Sequence, residues 1–327
     1  MPKKAWIGIA LGGVVVLAFG VSFLLRHRPQ QPERVKLVLG FRPTVVVDLA
    51  LLRAVESGEF ANAGIDVTLK PYGRADLLFA ALQSNEIQGS AGVPLEPLLG
   101  MATKGDYPYR GYIVWYFDGT NPYDGFLVPK DSPINSLADL DGRVVGSHPS
   151  RQVKYFVSRM LPRATIQEYN PATPLLAVKG GDQAAAYVLE PAISLALASG
   201  EYRLIEACAI SRQVFGGARV PAALSLLSSG WIDERPTHAA AFVRIARAAH
   251  ERELRHHDTA ANVALLGRRE YGGYSADVAS RVVEPASSIP ENLDRDRLRQ
   301  FFQVLREGRL LDGDVDFERV LYVPPPR

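Results

Sequence analysis

Residues 132–152 read SPINSLADLDGRVVGSHPSRQ. Pro133 ends whatever precedes it, and Ser136 with Asp139 three residues on has the spacing of a capping box opening a short helix. RVVGS (143–147) is a brief β-branched run, and Ser147-His148-Pro149-Ser150-Arg151 is a turn that opens the helix SRQVKYFVSRML. Loop, helix, strand, turn and helix follow one another with almost no spacer.

Outward from this stretch the same rhythm runs both ways. Upstream lie the buried strand VKLVLGF (35–41), helical spacing over Asp48–Glu59, the strand IDVTLKPY (65–72) and the helix ADLLFAALQSN (75–85). EIQGSAG (86–92) is a strand, 94–104 a helix, RGYIVWYF (110–117) a strand, and a loop over 118–125 leads to the strand GFLVPK. Downstream come TIQEYN as strand, TPLLAVKGG as helix, AAAYV (184–188) as strand, AISLALASG as helix and YRLIEACAI as strand. AALSLLSSGWI reads as a returning strand, and everything from Pro236 on as helix. Strand and helix in alternation with short connections predict βαβ units and a parallel sheet. The interruption at 118–125 and the return near Val220 predict two α/β lobes with two crossover segments. The boundaries are 35–119 for the first part of lobe one, 120–219 for lobe two and 220–327 for the rest of lobe one, with its helices. Ligands bind outside the carboxyl ends of strands in such sheets.

The 327 residues carry 37 basic and 35 acidic side chains, a net charge of +2, too balanced for a nucleic-acid partner. Arg244, Arg247, Arg252 and Arg255 beside Glu251 and Glu253 read as a solvated helix face. The single cysteine, Cys208, excludes an intrachain disulfide and any multi-cysteine metal or cluster site. His256-His257-Asp258 reads as a helix end, because adjacent helical histidines point about 100° apart. No metal and no cofactor are expected. Residues 1–34 stand apart: an uncharged run over 5–25 follows Lys3 and Lys4 and is long enough to cross a bilayer. It reads as an N-terminal membrane anchor with a linker, or else a cleaved export signal, placing the folded part outside the cytoplasm.

Candidate site residues sit where predicted strands end. Phe41, Arg42 and Thr44 follow the first strand, and the Arg42 fork suits a carboxylate or sulfonate, or a structural carboxylate. Ser90 and Ala91 give a backbone that something can approach closely, ligand or neighbouring helix. Ser147, His148, Ser150 and Arg151 form a turn whose free N–H groups and helix dipole suit an anion, though Ser150 also suits a simple N-cap. Glu190, before Pro191, could accept from an amine, ring N–H or hydroxyl, or join a salt bridge. Phe117, Asp118 and Asn121 lie on the first crossover and Phe215 before the second. Arginines favour an anion; Glu190, Asp118 and the aromatics favour a polar or heteroaromatic molecule. There is no Gly-x-Ser-x-Gly elbow, no HExxH and no phosphate loop, so binding is expected and catalysis is not.

The stretch SPINSLADLDGRVVG, with ESGEFANAGIDVTLKPYG (56–73), FAALQSNEIQGSAG (79–92) and AAAYVLEPAISLALASG (184–200), resembles the solute-binding proteins of ABC importers. The likeness is to the nitrate/sulfonate/taurine and thiamine-precursor branch (NMT1/THI5-like) and spans about 35–325. It implies a type II periplasmic-binding-protein fold, a small-molecule ligand held by hinge closure, permease and ATPase partners, and a monomer. The alternative is a membrane-tethered sensing or docking domain. Leu189 stands where the family often has an aromatic before the glutamate-proline pair, so ligand class does not carry over.

Overall fold

The computed structural model describes residues 34–326. The apolar run expected to anchor the chain lies outside them; among the described residues no helix is long and apolar enough to cross a membrane.

In chain order the elements are β1 (Val35–Phe41), α1 (Leu49–Glu56), α2 (Glu59–Asn62), β2 (Ile65–Pro71), α3 (Ala75–Gln83), β3 (Gly89–Pro94), α4 (Leu95–Ala102), β4 (Tyr109–Phe117) and β5 (Asp124–Pro129). After a 3-10 turn at Leu137–Leu140 come β6 (Val144–Ser147), α5 (Arg151–Met160), β7 (Thr165–Glu168), α6 (Leu176–Lys179), β8 (Ala185–Leu189), α7 (Ala192–Ser199) and β9 (Tyr202–Ala207). A π-turn at Ile210–Val214 leads to β10 (Val220–Ser228), α8 (Ser229–Glu234), α9 (Pro236–Arg255), α10 (Thr259–Leu266), α11 (Ala276–Arg281), β11 (Ala286–Ser288) and α12 (Arg295–Glu307).

The strands form two sheets, ordered β11-β4-β10-β3-β1-β2 and β7-β6-β8-β5-β9. Internal strands β4 and β10 of the first sheet and β5 of the second run against both of their neighbours. In the first sheet β10 is antiparallel to β3 and β4; in the second β5 is antiparallel to β8 and β9. The sheets are therefore mixed, not purely parallel as the alternation alone implies. Central strands are buried on both faces, all five residues of β8 among them, whereas edge strand β7 is largely exposed. That contrast is why β8 reads as an unbroken apolar run.

The chain leaves the first sheet after Phe117 and returns to it at Val220. Where the two crossovers meet, Arg219 Nε pairs with Asp118 at 2.6 Å and Arg212 Nε donates to the Gly119 carbonyl at 2.9 Å. A Cβ on Gly119 would lie 2.6 Å from the Gly217 carbonyl oxygen. Backbone meets backbone here, so no side chain fits.

Several elements differ from expectation for local reasons. The helix expected over Asp48–Glu59 stops at Glu56, because Gly58 takes φ 77° and starts α2. SLADL is a 3-10 turn, with its Ser136–Asp139 capping box intact, and TPLLAVKGG yields only the single turn α6. Strand β9 ends at Ala207, where Cys208 adopts φ 54°. Strand β10 ends at Ser228, whose side chain caps α8 by accepting from Trp231 N–H. Edge strand β11 interrupts the helical C-terminal part. Arg247 is not on a solvated face: it is buried, donating to the carbonyls of Tyr112 and Tyr322 and pairing with Glu291 at 2.7 Å. Asp258 caps α10, and His257 Nδ1 faces Glu253 at 2.8 Å. The C-terminal helices cover the first sheet, with Phe242 of α9 stacked on Phe60 at 4.7 Å. Helix α12 reaches further, placing Phe301 against Phe156 and Phe215.

Candidate functional site

Two loops at strand ends face each other across the gap between the sheets. The first follows β1. Val45 N–H closes a turn onto the Arg42 carbonyl at 3.3 Å, and Val46 N–H crosses to the Glu190 carbonyl on the other sheet at 3.3 Å. Val47 lies on Gly92, whose φ of 79° and missing side chain make the space; a Cβ there would sit 2.7 Å from Val47 Cγ1. The loop ends at Asp48 in the left-handed region, φ 64°. Asp48 caps α1 by accepting Leu51 N–H at 3.3 Å and also accepts Ser225 Oγ at 2.7 Å. Trp115 Nε1 donates to the same Ser225 hydroxyl at 2.9 Å. Burial raises the Asp48 carboxyl to about 6, against the pull of Ser225 and Leu51.

The second loop follows β6. Ser150 caps α5, its Oγ accepting Val153 N–H at 3.4 Å, an arrangement worth about 1 kcal/mol. His148, just before it, is 6% exposed, its ring edge-on to Tyr169 at 6.2 Å. Burial, and after it the Arg42 charge, push its pKa down to about 3, so the imidazole is neutral. Both ring nitrogens are buried without a partner, as are Arg42 Nε and the Gln152 amide oxygen. Buried polar atoms are nearly always paired, so four such atoms together mark a place built for something else to touch.

They converge on a small cavity between the two loops. Arg42, His148, Ser150 and Gln152 form its polar side; Val45, Val47, Trp115, Phe117, Tyr123 and Leu189 form much of its apolar side. Past Arg42 and His148 the space opens into a polar groove bordered by Thr44, Arg74, Asp76, Arg151 and Glu168. Arg151 also reaches Glu96 of α4 at 3.2 Å.

Arg42, Phe117, His148 and Ser150 thus line the cavity, and Thr44 and Arg151 its outer groove. The other eight candidates are occupied within the protein. Phe41 packs on Tyr271 at 5.1 Å. Ser90 Oγ donates to the Gly40 carbonyl at 2.9 Å, tying β3 to β1; Ala91 is buried, and the room at Gly92 beside it is taken by the chain's own Val47. Asp118 holds Arg219 and Thr120, and Asn121 Nδ2 donates to the Glu284 carbonyl at 2.5 Å. Ser147 Oγ turns to the His148 carbonyl at 3.3 Å. Glu190 accepts Ser194 N–H and Oγ at 3.1 and 2.9 Å, capping α7. Phe215 sits against Phe156 at 5.5 Å.

Sequence reasoning does not reach Val45, Val47, Trp115, Tyr123 and Gln152. Trp115 has a usable signal: it stands two residues before Phe117 on one strand, hence on the same face. Gln152 lies in the first turn of the helix that the Ser-His-Pro-Ser-Arg turn opens.

The chain's own carboxyls set a pH dependence. Burial raises Glu190 to about 7 and Glu284 to about 8, from an ordinary 4.5. Between 4.5 and those values the folded chain keeps protons that the unfolded chain has lost, so stability falls as pH rises through that window. Above neutrality His148 and His250, both lowered by burial, are uncharged in either state and do not offset the trend. The free protein is expected to melt at a higher temperature at pH 7 than at pH 8.5; a melting temperature that climbs over that interval contradicts these burials.

The family model described as NMT1/THI5 like matches residues 48–173, from the Asp48 cap through the second loop and β7. Among curated proteins none matches the chain. Solved structures share the fold of this chain over most of its length. The alkanesulfonate-binding protein SsuA from Xanthomonas axonopodis pv. citri, bound to MOPS, is 17% identical with a TM-score of 0.67, over 89% of this chain and 99% of that one. The periplasmic nitrate-binding protein NrtA from Synechocystis PCC 6803 is 15% identical with a TM-score of 0.64, over 88% and 85%. A cysteine-to-serine mutant of DszB in complex with biphenyl-2-sulfinic acid is 20% identical with a TM-score of 0.59, over 88% and 96%. At these identities the likeness establishes the fold, that of periplasmic binding proteins.

Proposed function

We propose that this chain is the extracytoplasmic solute-binding component of an ABC-type importer, and that it captures a small organic anion between its two sheets. The observation that carries the reading is the buried Arg42 guanidinium, with Nε unpartnered, at the mouth of a cavity that the α5 N-terminus faces from the opposite sheet. Burial lowers its pKa, and a buried charge of this kind is costly unless something of opposite sign offsets it. The wall of Val45, Val47, Trp115 and Leu189 is apolar and suits a hydrocarbon body, so the ligand class we infer is a sulfonate or carboxylate with an alkyl or aryl part. The neighbours with sulfonate, nitrate and sulfinate in their descriptions are in keeping with an oxyanion. The crossover contact at Gly119 and Gly217 would be the hinge about which the lobes close, and the permease, ATPase and N-terminal anchor belong to the same proposal.

Binding accounts for the site better than catalysis does. Ser150 Oγ is engaged as a cap, and neither His148 nitrogen holds a partner, so the two do not form a nucleophile–base pair. Cys208 is buried beside β9, away from the cavity lining.

A thermal-shift screen of the full chain tests this, because a ligand that binds only the native state raises the melting temperature with concentration over Kd. Small sulfonates and carboxylates are expected to stabilise it. Stabilisation by neutral ring compounds alone overturns the anion reading, and silence from every class favours a docking domain.

A further inference from the structure

We propose that Glu190 is the positioning residue of the site: from the second sheet it fastens two segments of the first that wall the cavity, the loop over 43–47 and the strap over 283–285, and so sets the gap in which a ligand is held. The consequence for binding rests on the capture reading above; the fastening itself does not.

Glu190 is buried and is not among the residues that line the cavity, yet each of its polar groups is committed to a segment that does line it or to its own helix. Its N–H donates to the Tyr123 carbonyl at 2.9 Å, and its carbonyl accepts Val46 N–H at 3.3 Å. Its carboxyl accepts Ser194 N–H and Oγ at 3.1 and 2.9 Å and, from the strap between α11 and β11, Val283 N–H. Tyr123, Val45, Val47 and Pro285, with Leu189 beside Glu190, are all cavity wall. Capping α7 needs only the Ser194 contacts. Val46 and Val283 belong to connections of the other sheet, and a cap has no use for them. The loop over 43–47 is neither helix nor strand, so it has no ladder of its own and its place depends on such ties. The strap is held from its other side as well: the Glu284 carbonyl accepts Asn121 Nδ2 at 2.5 Å, and the Glu284 carboxyl accepts Leu49 N–H at 2.7 Å. Asn121 and Tyr123 follow Gly119 closely on the first crossover, where a hinge rotation displaces groups least. The fastening therefore survives opening and closing while fixing where Val45, Val47 and Pro285 stand.

The test begins with amide hydrogen exchange, read residue by residue in the free full chain at pH 8. That is above the value of about 7 to which burial raises Glu190, so its carboxylate is ionised. The Val46 and Val283 amides are expected to exchange about tenfold or more slowly than in an unstructured chain; unprotected exchange at either overturns the fastening. Glu190→Ala is expected to speed Val283 by about tenfold or more and to leave β1 at its parent's rates, whereas Ser194→Ala, which weakens the cap alone, leaves Val283 unchanged. A Glu190→Ala effect confined to α7, or spread evenly over the chain, makes Glu190 a cap or a general support and overturns the inference. Titration with ethanesulfonate and benzoate then reads the consequence. Whichever binds the parent is expected to bind Glu190→Ala about threefold or more weakly, because part of the wall must then be ordered on binding, and to bind Ser194→Ala like the parent. Equal affinity for Glu190→Ala overturns the positioning role. If neither probe binds the parent, the anion reading falls and the exchange rates alone decide the fastening. Should Glu190→Ala not fold, Glu190→Gln, with one amide oxygen for the three donors, is compared in the same way.

Discussion

Arg42→Met is expected to reduce organic-anion affinity by about 30-fold or more while the free protein melts no lower than its parent. Both halves follow from one fact. Arg42 is buried, and among its guanidinium atoms Nε has no partner in the protein. Losing one partner of a desolvated, hydrogen-bonded charge pair costs about 2–5 kcal/mol of binding, about 30- to several-thousand-fold. In the free protein the same substitution removes an uncompensated buried charge and leaves an apolar side chain of similar length, which is neutral or stabilising. A residue holding the fold together would show the opposite: lower melting temperature first and weaker binding as a consequence. Paired melting and titration curves for the variant separate the two.

Gly92→Ala is expected to be the most damaging single-methyl change near the site. At φ 79° a non-glycine residue is strained by about 1–2 kcal/mol, and the new Cβ would lie 2.7–2.8 Å from Cγ1 and Cβ of Val47. Those atoms sit next to the backbone and cannot swing aside, so overpacking adds about 1–3 kcal/mol. The way out for Val47 is towards the cavity it lines. Chemical denaturation should therefore show a loss of about 3 kcal/mol, and anion affinity should fall with it. If Gly92→Ala denatures like its parent, the close approach of Val47 is not what holds the loop.

These two positions show how far the sequence can be read. Arg42 and the Ser-His-Pro-Ser-Arg turn stand at strand ends, and strand ends are predictable from periodicity, so much of the polar wall is visible without coordinates. Glycine at 92 is visible too, but not its purpose, because the atom it makes room for belongs to a loop with neither helical nor strand period. That loop is held by Asp48 and Ser225, 177 residues apart, a separation no local pattern reports. Glu190 misleads for a related reason. A carboxylate after a buried strand invites a ligand role, yet Ser194 four residues on takes both of its oxygens, as an N-terminal cap would. Strand β11 escapes notice because three residues carry no period and gain their conformation only by pairing with β4. The alternation of strand and helix, by contrast, survives such local errors, and the two-sheet architecture follows from it.

The most direct test is a structure of the full chain crystallised with benzoate or ethanesulfonate. The anionic group is predicted within hydrogen-bond distance of the Arg42 guanidinium, facing the first turn of α5, with the hydrocarbon part against Val47 and Trp115. An anion held elsewhere on the surface, or one between the sheets with its charge turned away from Arg42, would contradict the account.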